Sequence, residues 1–213
     1  MSAIVTTPEE CLQYVERVGI CTWRTQPKLA WMPSLESVSA WKGHDLTYQT
    51  WFWKDDLHIE RRLYFGMLIA PDIPVFVSLA LLPTLIAAQG DIDALTLHEK
   101  GLLASNALRV YEHIERSGPT ATQALPWPSG SRMLYLATLQ QKFLLTKCDL
   151  TGRTRGTYGY RWNLCENVFP DSFDQASRLS VSTAREQILS HLNTNGTDVT
   201  LERATRLFRW QPL

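Results

Sequence analysis

Two arginines, Arg153 and Arg155, flank Thr154 in the segment Asp149-Leu150-Thr151-Gly152-Arg153-Thr154-Arg155-Gly156-Thr157. Glycines on both sides let the backbone approach another surface closely, and two guanidiniums at such a tip suit phosphate or minor-groove contact. A solvent-exposed turn fits the same residues. Upstream, Ser131 can cap a helix whose Met133, Leu136, Leu139 and Phe143 share one stripe. The outward side carries Arg132, Tyr135, Thr138 and Gln141, with Lys142 at the end. Arg and Gln can read purine edges, and Thr, Tyr and Lys commonly hold phosphates. A solvated helix face accounts for these residues equally well. Leu134 also tends outward, which suits a protein contact better than a phosphate contact.

The elements that must position these groups run from Ser105 to Val168. Leu108, Tyr111 and Ile114 form one stripe of a first helix, which Gly118-Pro119 ends. Pro119 to Leu125 suits a short second helix, Pro126 to Gly130 a loop, and Ser131 onward the third helix. Phe143 to Cys148 and Tyr158 to Cys165 read as two strands joined by the arginine loop. Three helices followed by a two-stranded ribbon is the order of a winged helix, in which the third helix enters the major groove. Double-stranded DNA is therefore the expected partner.

Ahead of this module, Thr7-Pro8-Glu9-Glu10 is a helix start with a capping box, and Gly19 its end. Ser34 to Trp41 suits a helix. Arg61 to Ile69 and Pro74 to Leu79 read as strands joined through Ala70-Pro71-Asp72-Ile73, and Leu81 to Ala88 as a short helix ending at Gly90. After the ribbon, Ser182 opens a helix closing near Asn193 to Gly196. A last one, from about Thr200 to Phe208, turns Leu201, Ala204, Leu207 and Phe208 inward. The expected fold is α+β, mainly helical, with a winged-helix module and a second small β-hairpin in the N-terminal part. The expected division is 1–98, 99–170 and 171–213, packed as one unit.

Charge supports this division. Net charge is zero, yet residues 1 to 98 carry 7 basic and 11 acidic side chains, and residues 99 to 170 carry 9 basic and 5 acidic. The positive excess lies in the segment expected to touch DNA. No apolar run reaches the ~18 residues of a membrane span, and Met1-Ser2-Ala3-Ile4 lacks the basic start of a signal peptide. Four cysteines make no disulfide framework, and Cys148 and Cys165 on the two ribbon strands do not come opposite each other. No Cys-x-x-Cys or His-x-x-x-His pair is present. The expectation is a cytoplasmic protein with reduced thiols, no metal and no cofactor. Its oligomeric state is left open.

Several ordered blocks carry a resemblance. Trp51-Phe52-Trp53-Lys54-Asp55-Asp56-Leu57 with Tyr64-Phe65-Gly66 is one, and Val77-Ser78-Leu79-Ala80-Leu81-Leu82-Pro83 another. Gly118-Pro119-Thr120-Ala121-Thr122 and Leu139-Gln140-Gln141-Lys142-Phe143-Leu144-Leu145-Thr146 follow. Together they resemble short bacterial relatives of the AlkZ (YcaQ-type) DNA glycosylases over residues 8 to 170. Met67 and Ala80 depart from the pattern, which has Lys and Glu there.

The resemblance implies winged-helix architecture and a link to DNA repair by excision of alkylated or crosslinked bases. Full members are longer and use a catalytic Gln-x-Gln or Gln-x-Asp. The corresponding triplet here is Gln89-Gly90-Asp91. A carboxylate and an amide two residues apart could stabilise a cationic sugar and position a water. The same three residues are also ordinary polar chemistry at a helix end, which is the reading preferred. The Trp51-to-Asp55 block has two readings, core packing or an aromatic cleft for an extruded base. The expected function is DNA binding without the usual catalytic pair. The alternatives are an active glycosylase, using Asp91 or Asp55, and a protein-interaction module.

Overall fold

A computed structural model describes residues 4–70, 73–194 and 198–211. The expected turn at Pro71-Asp72, the start Met1-Ser2-Ala3 and the helix end at Asn195-Gly196 lie outside them. The chain is α+β, with two small three-stranded antiparallel sheets among many short helices.

Helix α1 is Pro8–Val18. Its capping box is formed as the residues dictate, with Thr7 accepting from the Glu10 amide and the Glu10 carboxylate from that of Thr7. Strand β1 is Ile20–Thr22. The helices α2 (Leu35–Val38), α3 (Gly43–Thr50) and α4 (Trp53–Ile59) follow, then the hairpin β2 (Leu63–Ala70) and β3 (Ile73–Ser78). The first sheet has the order β1-β3-β2. Helix α5 (Leu82–Gln89) leaves it and ends at Gly90, whose φ of 83° favours glycine. The hairpin and α5 match expectation. Helix α2 is shorter than expected, and α3 and α4 have no amphipathic period to announce them.

Helices α6 (Ala94–Glu99) and α7 (Ser105–Ser117) lead to β4 (Thr120–Ala121) and a single 3-10 turn at Thr122–Ala124. The expected second helix is thus a short strand and a turn. Its strand pairing comes from a distant partner, Thr120 opposite Trp162 and Ala121 opposite Arg161. Helix α8 spans Ser129–Gln141 with Pro128 at its cap, so Ser131 lies inside the first turn rather than before it. Phe143, at φ 55°, turns the chain into β5 (Leu145–Gly152), which pairs with β6 (Gly159–Leu164). The second sheet has the order β4-β6-β5. Cys148 sits at a register shift between Lys147 and Asp149 in β5, away from Cys165, and all four cysteines are free.

The chain closes with α9 (Cys165–Val168), α10 (Pro170–Ala176), α11 (Val181–Asn193, capped by Ser180) and α12 (Leu201–Phe208). Ala204 and Phe208 of α12 are buried, but Leu201 is exposed. The largest core cluster joins the first sheet to α5, α10, α11 and α12, and a second one lies under α6, α7, α8 and the β5–β6 ribbon. Among the described residues no helix is long and apolar enough to cross a membrane, and no group of three His, Cys, Asp or Glu could hold a metal ion.

Candidate functional site: an aromatic cleft between the two sheets

Polar side chains of α4 and α8 bridge the two sheets. Gln140 of α8 accepts from the Met67 amide of β2 at 2.9 Å. Lys54 of α4 donates to the Tyr160 hydroxyl of β6 at 3.1 Å. His58 Nδ1 accepts from the Phe65 amide and its Nε2 lies 2.9 Å from the Lys147 carbonyl. Because Nδ1 accepts from an amide, the hydrogen of the neutral ring is on Nε2, which donates to Lys147. Burial pushes the His58 pKa down to about 3, with the Lys147 charge adding to it, so the neutral ring persists through ordinary pH.

Between these links lies a cleft of about 360 Å³, within the ~300–1,000 Å³ range usual for small-ligand sites. Its aromatic wall is Trp23, Trp51, Phe65, Tyr160 and Trp162, and its opposite side is Met133, Leu134, Leu136, Ala137 and Gln140 of α8. Trp51 also borders an open depression with Tyr48 and Phe52. A cavity of similar size between α1 and α11 is lined by Arg17, Trp31 and His191.

The charges in the wall are the unusual feature. Lys54 and Asp55 are 2% and 1% exposed and paired at 2.7 Å. Lys54 also donates to the Tyr158 and Tyr160 hydroxyls, so all three ammonium protons have acceptors. Each tyrosine in turn donates to Asp55, at 2.6 and 3.0 Å. Burial raises both tyrosine pKa values, with Asp55 adding to it. Burial lowers that of Lys54, and Asp55 opposes this.

Lys147 is different. It is 7% exposed, and its Nζ takes part in no hydrogen bond or ion pair among the described residues. Nζ instead sits 4.4 Å from the Tyr160 ring centre and 4.6 Å from that of Phe65. Lys147 pairs with Trp162 across the ladder, so both side chains leave on one face of the sheet, as does Tyr160 two residues on. Burial pushes its pKa down to about 7, and Lys54 adds to the shift while Asp55 opposes it.

Gln140 lines the same cleft from α8. It is 1% exposed, and its Nε2 has no surface open to the cleft. Gly66 is needed beside it, since a Cβ there would stand 2.6 Å from that nitrogen.

Several residues expected at a DNA surface lie elsewhere. Gln141 and Lys142 are 1% and 8% exposed, so they are not on the outward side. Gln141 accepts from Arg209, and Lys142 donates to the Arg209 carbonyl, because the C-terminal segment folds over the end of α8. Arg132 donates to the Thr122 carbonyl at 2.7 Å, Tyr135 accepts from Asn106, and Thr138 bonds back to the Leu134 carbonyl. α8 exposes two large apolar side chains, Met133 at 54% and Leu134 at 57%. Arg153 is ion-paired with Asp56 and lies over the Phe52 ring, so it is not a free cation, whereas Arg155 is exposed.

Gln89 and Asp91 do not converge. Gln89 is buried and donates to the Phe208 carbonyl, while Asp91 turns out to Lys100. Gln211 donates to both their carbonyls, tying the helix end to the C-terminus. Of the two acidic candidates, Asp55 is bonded to the cleft residues Lys54 and Tyr160, and Asp91 is not. Lys147, Gln140 and the two tyrosines went unnoticed in the sequence. The available signal was one lysine inside the otherwise apolar stretch Phe143-Leu144-Leu145-Thr146-Lys147-Cys148.

Fold and cleft together define an α+β protein with an aromatic, lysine-bearing cleft between two antiparallel sheets. Residues 5–209 match the model of the AlkZ-related family, and the chain belongs to that family. No curated protein and no solved structure matches it.

Proposed function

We propose that this chain is a DNA-binding protein whose aromatic cleft receives one unstacked base. Residues 99–170 would form its winged-helix module, and the excision pair of AlkZ-type glycosylases would be missing. The observation that carries this reading is the cleft itself: five aromatic rings around a cavity of small-ligand size, with a buried lysine among them. Extruded bases are recognised by stacking between aromatic faces and by hydrogen bonds to their edges. The order α7, β4, 3-10 turn, α8, β5, β6 supports the winged-helix part. On this reading Met133 and Leu134 act as an apolar wedge at the mouth, and such wedges unstack neighbouring bases.

Phosphate contact would be modest, since Arg155 is the freer of the two loop arginines and net charge is zero. Excision is not part of the proposal. Asp55 already accepts from Lys54 and both tyrosines, which leaves it ill suited to activate water, and Gln89 and Asp91 point apart.

Fluorescence anisotropy tests the reading with labelled duplexes that are intact, carry one bulged base, or carry one abasic site. Binding to the bulged duplex at least tenfold tighter than to the intact one is expected. Equal affinities would remove the base-receiving role. No binding to any duplex at low salt would turn the Met133–Leu134 surface into a protein contact.

A further inference from the structure

We infer that Lys147 is a nucleophilic amine in the wall of the cleft, placed to condense with an aldehyde carbon delivered there. The aldehyde class in question is an open-chain sugar, such as the one left at an abasic site. Only that choice of aldehyde rests on the DNA-binding reading; the amine chemistry rests on the cleft alone.

The geometry separates the two lysines into different roles. Both straddle the same rings, Phe65 at 5.7 Å and Tyr160 at 5.7 Å for Lys54, and 4.6 and 4.4 Å for Lys147. Lys54 has a carboxylate and two hydroxyl acceptors, which hold it as the ammonium. Lys147 has no such partner, is 7% exposed, and lines a cavity large enough for a small ligand. A desolvated lysine next to a second cation is the arrangement that activates an amine as a nucleophile. Its pKa of about 7 leaves much of it uncharged at neutral pH. The strand is held in place by His58, which donates to the Lys147 carbonyl and contacts the Thr146 hydroxyl at 3.2 Å.

The step balances without any other reactant. The neutral amine attacks the aldehyde carbon and a C–N bond forms. The carbonyl pair moves to oxygen, which takes up the proton the nitrogen sheds. The C–O bond then breaks as that oxygen takes the second nitrogen proton and leaves as water, and the nitrogen lone pair closes a C=N bond to Lys147.

The test uses the full-length wild-type chain, with 2-deoxyribose 5-phosphate as a free aldehyde and, separately, a duplex with one abasic site. Each is incubated with cyanoborohydride across pH 6 to 10, and the reduced adducts are mapped by peptide mass spectrometry. The chain has six lysines, of which Lys28, Lys42 and Lys100 are exposed. Labelling of Lys147 ahead of these by at least tenfold, half-maximal near pH 7, is expected. Labelling confined to the exposed lysines, or rising only near pH 10, would overturn the inference. Lys147→Met should abolish the fast adduct and leave slow surface labelling unchanged; a fast adduct that survives the substitution overturns the inference as well. The two arms separate the claims. Duplex binding by anisotropy with no adduct from either aldehyde counts against the amine and leaves the DNA reading standing. Labelling by the free sugar with no duplex binding supports the amine and counts against DNA.

Discussion

Replacing Lys147 with Met isolates the energetic consequence of placing an unpaired amine in an aromatic wall. Met has a similar length, keeps the contacts with Phe65 and Tyr160, and carries no proton to lose. In the folded chain Lys147 titrates at about 7, against 10.5 when unfolded. Between those values the unfolded state binds the extra proton, so stability must rise with pH through the window and be lost as pH falls towards 7. Each pH unit is worth about 1.4 kcal/mol. Two units above the folded pKa, at pH 9, wild type should have gained about 2.7 kcal/mol over pH 6 from this group alone, an upper figure given some water penetration. For a chain of this size that is roughly 5 to 10 °C in melting temperature. Cys148, pushed up to about 11 by burial, and the buried tyrosines titrate in both proteins and cancel in the difference. The assay is urea unfolding of wild type and variant at pH 6, 7, 8 and 9. The variant should be the more stable at pH 6, with its advantage shrinking steadily to pH 9. A difference independent of pH within about 0.5 kcal/mol would refute the claim that Lys147 is a desolvated, unpaired amine, since about 2.7 kcal/mol is expected.

Three further outcomes follow from the same geometry. His58 is buried neutral with its pKa near 3 rather than 6.5, so stability should fall as pH drops below about 6.5 and continue falling towards 3; His58→Gln should be less stable at pH 7.5 by ~1–3 kcal/mol yet lose that acid slope, as read by thermal melts at several pH values. Asp56→Asn should release Arg153 and steepen the salt dependence of duplex binding by about one counterion, while Arg155→Ala should flatten it by about one. Asp91→Asn removes only a half-exposed pair with Lys100, so stability should change by less than ~1 kcal/mol and any base-releasing activity not at all.

Local chemistry was readable along the chain, and long-range pairing was not. Thr7 and Glu10 announce α1 because both partners of the capping box lie within four residues. The β2–β3 hairpin and the stop at Gly90 are equally local. Thr120–Ala121, by contrast, is a strand only because Trp162 and Arg161 lie beside it. Gln141 and Lys142 continue the polar side of α8 by spacing, and nothing nearby reveals that Arg209 closes over them. Arg153 has two flanking glycines in the sequence, but its ion pair is with Asp56, 97 residues earlier. The cleft was half visible. The aromatic block and Asp55 stood out by composition, whereas Lys147 becomes conspicuous only when the rings of Phe65 and Tyr160 are brought around it in three dimensions.

The central claim is that the cleft receives an unstacked base, and 2-aminopurine reports this directly. Its fluorescence is quenched in the stack, responds when the base leaves it, and can be quenched again by neighbouring rings. Ala137 lines the cleft from α8 without joining its buried polar network, so Ala137→Phe would fill the cavity and leave Lys54, Asp55 and Gln140 in place. With a bulged 2-aminopurine duplex, wild type should produce a saturable fluorescence change that matches its binding curve. The Phe variant should lose that change while binding intact duplex within twofold of wild type. An unaltered signal in the Phe variant would show that the base goes elsewhere.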